Sequence, residues 1–221
     1  MRITNHRIRL GLEEFRIIRA ADSLTRARLI GQDPARGGLQ MNVDAGAARY
    51  VGMLWLLAAR SRRSLIYLPL RGGALPAGGT QYPLEEPPLD LVLLHHSLQF
   101  KPHHWKRLRG GLGRGATGTV RLSPDDLPGD GTIDYDAHRH RRYRDVFHQH
   151  VHAETMFMVG SAKVFRETAG IFFDIFKHGP HYHPPAELRE DFNLHYCKEL
   201  DAPLAGSGRE IHIEYTRRWV G

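Results

Sequence analysis

Between positions 145 and 160, imidazoles and a carboxylate recur at every second residue. His148, His150, His152 and Glu154 take one set of alternate positions, while Phe147, Val151, Ala153, Phe157 and Val159 take the other. A β-strand turns successive side chains to opposite faces. A strand here would set three imidazoles and a carboxylate in a row, with apolar residues behind them. Neutral imidazole and carboxylate are common ligands of divalent transition metals. His148, His150, His152 and Glu154 are therefore the candidate metal ligands. Phe147, Val151 and Met158 also fit one helical face, so a helix competes with the strand, and a plain polar strand face competes with the metal site.

A second histidine-rich stretch covers 178–185, where His181 and His183 again alternate. Pro184 keeps any strand there short or at a sheet edge, so a loop is expected. Downstream, Leu188, Phe192, Tyr196 and Leu200 recur every four residues. That spacing predicts a helix over 186–200 with Tyr196 on its apolar stripe.

Other elements must position these groups. Leu12, Phe15, Ile18, Leu29 and Ile30 approximate helical spacing, which predicts a helix over 12–30 stopped by Gly31. Asp44 is placed to cap a second helix reaching Arg60. Val51 and Met53 to Leu57 make that helix apolar nearly all round, the mark of a buried helix. The run 64–68 reads as a strand. The run 89–94 reads as a second strand, uniformly apolar as in a sheet interior. Pro102 is placed to open a helix continuing over 103–108. A glycine-rich stretch, 110–118, precedes a short strand at 119–122.

The expected fold is α+β, or α/β: a central sheet with flanking helices and a His-bearing strand in the C-terminal half. Residues 1–88 are expected as a mainly helical region packed on the sheet. Residues 89–221 are expected as a basic, His-rich α+β region, with the two parts separate or continuous. A boundary, if there is one, falls within 72–88 or 123–137.

Lys and Arg outnumber Asp and Glu by 31 to 24 in 221 residues, giving +7 with His neutral. Such a surplus favours polyanions, so nucleic acid, single-stranded DNA or RNA, is the expected partner. Arg139, Arg141, Arg142 and Arg144 crowd around Tyr143 and are the candidate nucleic-acid contacts. Cys197 is the single cysteine, which fits a reducing compartment. The N-terminal residues show no signal-peptide pattern, and no apolar run approaches the ~20 residues of a membrane span. A cytoplasmic or nuclear location is expected.

From His150 onward the order of features resembles the HUH endonucleases, the rolling-circle replication initiators of small circular single-stranded DNA elements. The resemblance covers about 50 residues. Its motifs are His150-Val151-His152, then Ile171-Phe172-Phe173-Asp174, then His181-Tyr182-His183-Pro184, then His195-Tyr196-Cys197-Lys198-Glu199. It implies a metal-dependent nuclease in which His150 and His152 hold manganese or magnesium. Tyr196 would be the nucleophile that forms a phosphotyrosyl link, and Lys198 would position the phosphate.

Three other likenesses compete. The His-x-His pair with Glu154 is similar to the first metal motif of cupins, which would call for zinc or iron. Arg142 and His148 are spaced as in the helical HEPN ribonucleases, which need no metal. Residues 110–117 resemble a phosphate-binding loop, but Ala116 stands where that loop has lysine, so a flexible basic turn is expected instead. A non-catalytic nucleic-acid- or protein-binding module also accounts for the charge.

Overall fold

The structure is a computed structural model that describes residues 1–31, 38–77, 86–121, 145–183, 195–201 and 208–220. Its first residues form a hairpin of β1 (Arg2–Leu10) and β2 (Glu13–Ala20). Gly11 makes the turn at φ +65°, a conformation open to it because it lacks a Cβ. Next comes β3 (Ala27–Gly31), so the helix expected over 12–30 is two strands. The reason lies in Ile17 and Ile18, adjacent and both buried. They face opposite sides of a sheet that is covered on both sides, and their apolar spacing mimics a helical stripe.

After β4 (Leu39–Val43), Asp44 caps α1 (Ala45–Arg60) as expected, its Oδ1 accepting from Ala47 N at 2.7 Å. The expected strands follow as β5 (Ser64–Leu68) and β7 (Asp90–His95), with β6 (Leu75–Pro76) between them. Pro102 opens a 3-10 turn, Pro102–His104, that leads into α2 (Trp105–Gly110). The short strand expected at 119–122 lies earlier, as β8 (Ala116–Thr119): it takes up the end of the glycine-rich stretch expected as a turn and shares only Thr119 with the expected run.

The His-bearing segment is a hairpin, β9 (His148–His152) and β10 (Thr155–Gly160). Ala153 and Glu154 form its turn, both at positive φ. Ser161 then caps α3 (Ala162–His178) through its Oγ, which accepts from Lys163 N and Val164 N at 3.0 and 3.1 Å. The last strands are β11 (Cys197–Leu200), β12 (Ile211–Tyr215) and β13 (Trp219–Val220). The helix expected over 186–200 is thus a strand in its final four residues, and 184–194 lie outside the described residues. A spacing of four satisfies a period of two as well as a helical turn, which is why the pattern misled.

Seven strands form the central sheet in the order β8-β1-β2-β5-β7-β10-β9, and four form a second sheet in the order β11-β12-β4-β3. This is an α+β fold with a mixed central sheet. The antiparallel pair α1 and α3 lies between the two sheets. It packs on Ile18, Ile66, Leu91 and Met156 of one and on Met41, Ile211 and Ile213 of the other. Trp55 sits at the centre with ring centroids 4.9 to 5.7 Å from Phe147, Phe165 and Phe172, and its Nε1 donates to Thr168 Oγ1 at 2.8 Å. The helices approach closely at Gly52, where a Cβ would stand 3.1 Å from Phe172 Cβ. On the opposite face of the central sheet, α2 brings Trp105 and Leu108 against Ile17, Leu65, Val92 and Phe157.

Residues 1–88 are strand-rich among the described residues, not mainly helical, and they do not stand apart. β5 pairs with β2 on one side and β7 on the other in one sheet, and β4 pairs with β12 in the other. Among the described residues no helix is long and apolar enough to cross a membrane.

Candidate metal centre

The β11–β12 ladder brings polar side chains together across two strands. Its antiparallel register sets Cys197 opposite Glu214 and Glu199 opposite His212. Alternation turns Leu200, Ile211 and Ile213 into the core. Cys197, Glu199, His212 and Glu214 take the other face of the sheet, and His195 joins them just before β11 begins. All of these except Glu199 are half-buried.

The rings of His195 and His212 stand nearly perpendicular, with their Nε2 atoms 2.9 Å apart. Ligand atoms of His195, Cys197 and His212 all lie within 4.8 Å of one another. A tetrahedral zinc ion with ~2.0–2.1 Å bonds to nitrogen separates two imidazole nitrogens by about 3.3 Å, so the pair needs to open by only a few tenths of an ångström. Glu199 Oε1 lies 3.2 Å from His212 Nδ1. A carboxylate there fixes the proton on Nδ1 and leaves the Nε2 lone pair facing His195 and Cys197, the usual support of a metal-bound histidine. Glu214 Oε2 accepts from Gln40 Nε2 at 2.6 Å and lies 3.9 Å from His195 Nε2.

Burial lowers the pKa of His195, with Glu214 opposing and His212 reinforcing, so its imidazole is held neutral, the metal-binding form. Burial first, then Glu199 and Glu214, raises the Cys197 thiol pKa. Loading an ion would therefore release a proton from sulfur.

The histidines of β9 sit differently. His150 and His152 share a strand face as expected, their rings 6.4 Å apart and nearly parallel. Their cross-strand partners are Phe157 for His150, Thr155 for His152 and Val159 for His148, none a strong metal ligand. Among the described residues, the three-ligand group at His195, Cys197 and His212 is the one that forms, and β9 has none. Glu154 does not continue the row. It belongs to the turn, where its carboxylate pairs with Arg71 and lies 3.5 Å from Arg109 Nη2. Those arginines also hold the buried Asp90, which accepts from Tyr67 Oη at 3.0 Å. The turn breaks the period-two pattern, and its charge completes a structural clasp.

Tyr196 and Lys198 converge on Asp174 of α3. The Tyr196 hydroxyl donates to Asp174, and Lys198 Nζ lies 3.2 Å from the same carboxylate. Burial, with Asp174, raises the Tyr196 pKa and keeps the phenol protonated. The structure does not bring this pair to His150 and His152. Gln149 of β9 bonds Arg209, before β12, whereas Tyr196 O accepts from Tyr215 N at the far end of β12. At about 3.3 Å per residue, β12 alone separates these points by roughly 13 Å.

Arg139, Arg141, Arg142 and Arg144 lie outside the described residues. The strand at His148 removes the single helix that the HEPN likeness requires, and the open sheet removes the barrel of the cupin likeness. His178 ends α3, and the segment from 179 to 183 is a 3-10 turn and loop, as expected.

Sequence reasoning passed over His195, Cys197 and His212. The available signal was the period-two spacing of ligand types in His195-x-Cys197-x-Glu199 and His212-x-Glu214, with Tyr196 and Lys198 between them in the first and Ile213 in the second. The helix assigned over 186–200 hid the first half of it.

No family model matches the chain, and neither a curated protein nor a solved structure matches it.

Proposed function

We propose that the protein is a metal-dependent enzyme that processes nucleic acid, its ion held by His195, Cys197 and His212. The convergence of those three ligand atoms within 4.8 Å carries the reading. Two imidazoles and a thiolate suit zinc better than manganese or magnesium, which prefer oxygen. Three protein ligands leave the fourth tetrahedral position for a water or a phosphate oxygen. Glu214 beside His195 is the carboxylate placed to take a proton from such a water. The surplus of basic residues supplies affinity for the polyanion. Tyr196 is left out as a nucleophile because Asp174 holds its phenol. The single cysteine keeps a reducing compartment, cytoplasmic or nuclear, as part of the reading.

The test is elemental analysis of the purified protein followed by cleavage assays on end-labelled single-stranded and duplex DNA and RNA. One equivalent of zinc, with cleavage abolished by Cys197→Ser and Glu214→Gln, is the expected result. Bound zinc without cleavage of any substrate removes the enzymatic half of the proposal, and absence of metal removes the metal-dependent enzyme altogether, leaving only nucleic-acid binding.

A second reading is a non-catalytic nucleic-acid-binding module. It is favoured by one observation: His195, His212 and Glu199 also close as a chain of hydrogen bonds that needs no ion. The elemental analysis separates the two.

A further inference from the structure

The β1–β2 hairpin has two unlike faces. One carries Ile8 and Phe15, opposite each other in register and packed toward α2, with the Phe15 ring 5.7 Å from Phe100 and 6.0 Å from His104. The other carries Arg7, Arg9 and Arg16, all exposed. Arg7 and Arg16 are direct cross-strand partners. Like charges placed so cost stability. Farther along the same face Ile3, Ile18 and Ala20 are buried in the core, whereas Arg7, Arg9 and Arg16 stay exposed.

The same charge continues onto the next strand. Arg16 pairs in register with Ser64, the first residue of β5, and Arg62 and Arg63 immediately precede it, both exposed. Five arginines therefore crowd one end of three adjacent strands, about 10 Å across. Their neutralisation within the protein is slight. Arg7 Nη1 lies 3.4 Å from Glu14, both side chains more than half exposed. Arg16 donates to the neutral Asn5 Oδ1 at 3.2 and 3.0 Å. Arg9 stands opposite Glu14 in register without an ion pair to it, and Arg62 and Arg63 form no ion pair with a carboxylate among the described residues.

We infer that the arginine face of the β1–β2 hairpin, extended by Arg62 and Arg63, is the surface on which this protein holds a nucleic-acid backbone. A two-stranded ribbon buttressed on one face and cationic on the other presents guanidinium groups at fixed spacing to successive phosphates. The residual self-repulsion is relieved when phosphates intervene. The inference rests on the nucleic-acid half of the proposed function and is independent of the ion.

The experiment compares the full chain with the Arg9→Gln/Arg16→Gln/Arg62→Gln/Arg63→Gln variant. Fluorescence polarisation reads binding to a labelled single-stranded oligonucleotide and to its duplex between 50 and 300 mM salt. The wild type is expected to bind with a steep salt dependence. The variant is expected to lose at least about tenfold in affinity, and its slope of log K against log salt to flatten by roughly 0.9 per lost arginine on duplex, or 0.7 on single strand. The duplex and single-stranded arms identify which form the face holds. Arg26→Gln, near the other end of α1, is the charge control and leaves the slope unchanged.

The variant's thermal midpoint is expected not to fall, because one member of a repelling pair is removed. A large fall in midpoint assigns the arginines a structural role and overturns the inference. So does an unchanged slope, which leaves nucleic-acid binding elsewhere on the molecule. Absence of oligonucleotide binding by the wild type, or binding only to anionic lipid vesicles, overturns both the inference and the nucleic-acid half of the function.

Discussion

Two strand pairs of this protein, β9–β10 and β11–β12, set histidine on a polar face, and only the second gathers a three-ligand group among the described residues. β9 sets His148, His150 and His152 in a row along a single strand. β11 and β12 set two imidazoles and a thiol against one another across a ladder. Along a strand, alternate side chains point the same way but stand well apart, as the 6.4 Å between the His150 and His152 rings shows. Across an antiparallel pair, Cβ atoms approach to about 4.5–5.5 Å. What decides between the two is the partner strand. β10 answers the histidines of β9 with Thr155, Phe157 and Val159, whereas β12 answers Cys197 and Glu199 with Glu214 and His212.

The sharpest way to break this comparison is to delete ligands on both strands. Cys197→Ser or His212→Ala is expected to lower zinc affinity by well over 100-fold, since the outer-shell losses described next already reach that range. The His150→Ala/His152→Ala double variant is expected to leave affinity unchanged. Competition with a chromogenic chelator reads both, and equal losses on the two strands would remove the distinction.

Glu199→Gln comes next. It keeps the shape but withdraws the carboxylate from His212, so zinc affinity is expected to fall about 10–100-fold. No change in the chelator assay would mean that Glu199 does not orient the imidazole.

A third variant tries to convert the poorer strand. Val159→His places an imidazole directly opposite His148 on the same face of the sheet. It is expected to create a second, weaker zinc equivalent, seen as a new step in the titration. If no step develops, a cross-strand partner is not what β9 lacks.

The smallest effect concerns the turn that ends the row. Ala153 holds φ 48° without being glycine or asparagine. Ala153→Asn suits that conformation and is expected to stabilise the protein by about 0.5–1 kcal/mol in urea unfolding, with the histidine row unaltered. Destabilisation would show that the alanine methyl has a packing role.

The legible parts of the fold were those whose signal is local and single-valued. Asp44 followed by an all-round apolar run specifies α1, and the uniform apolar run of β7 specifies an interior strand. Errors arose where two periods coincide. Ile17 and Ile18 face separate cores, and Tyr196 to Leu200 satisfies a four-residue step on a strand.

The candidate site was less legible for a different reason. His195 and His212 are 17 positions apart, and only the register of β11 against β12 makes them neighbours. The crowding of histidine near position 150 is visible in the sequence, but what stands across from it is a long-range fact. Ala153 and Glu154 gave no warning of a turn, because neither is a residue that positive φ favours.

The most direct test of the central claim is the absorption spectrum of the protein titrated with cobalt(II), which reports a thiolate ligand through a near-ultraviolet charge-transfer band. The account predicts that the band grows to one equivalent, is absent in Cys197→Ser, and persists in the His150→Ala/His152→Ala variant. Cobalt binding that lacks the band, or a band that depends on His150 and His152, would contradict it.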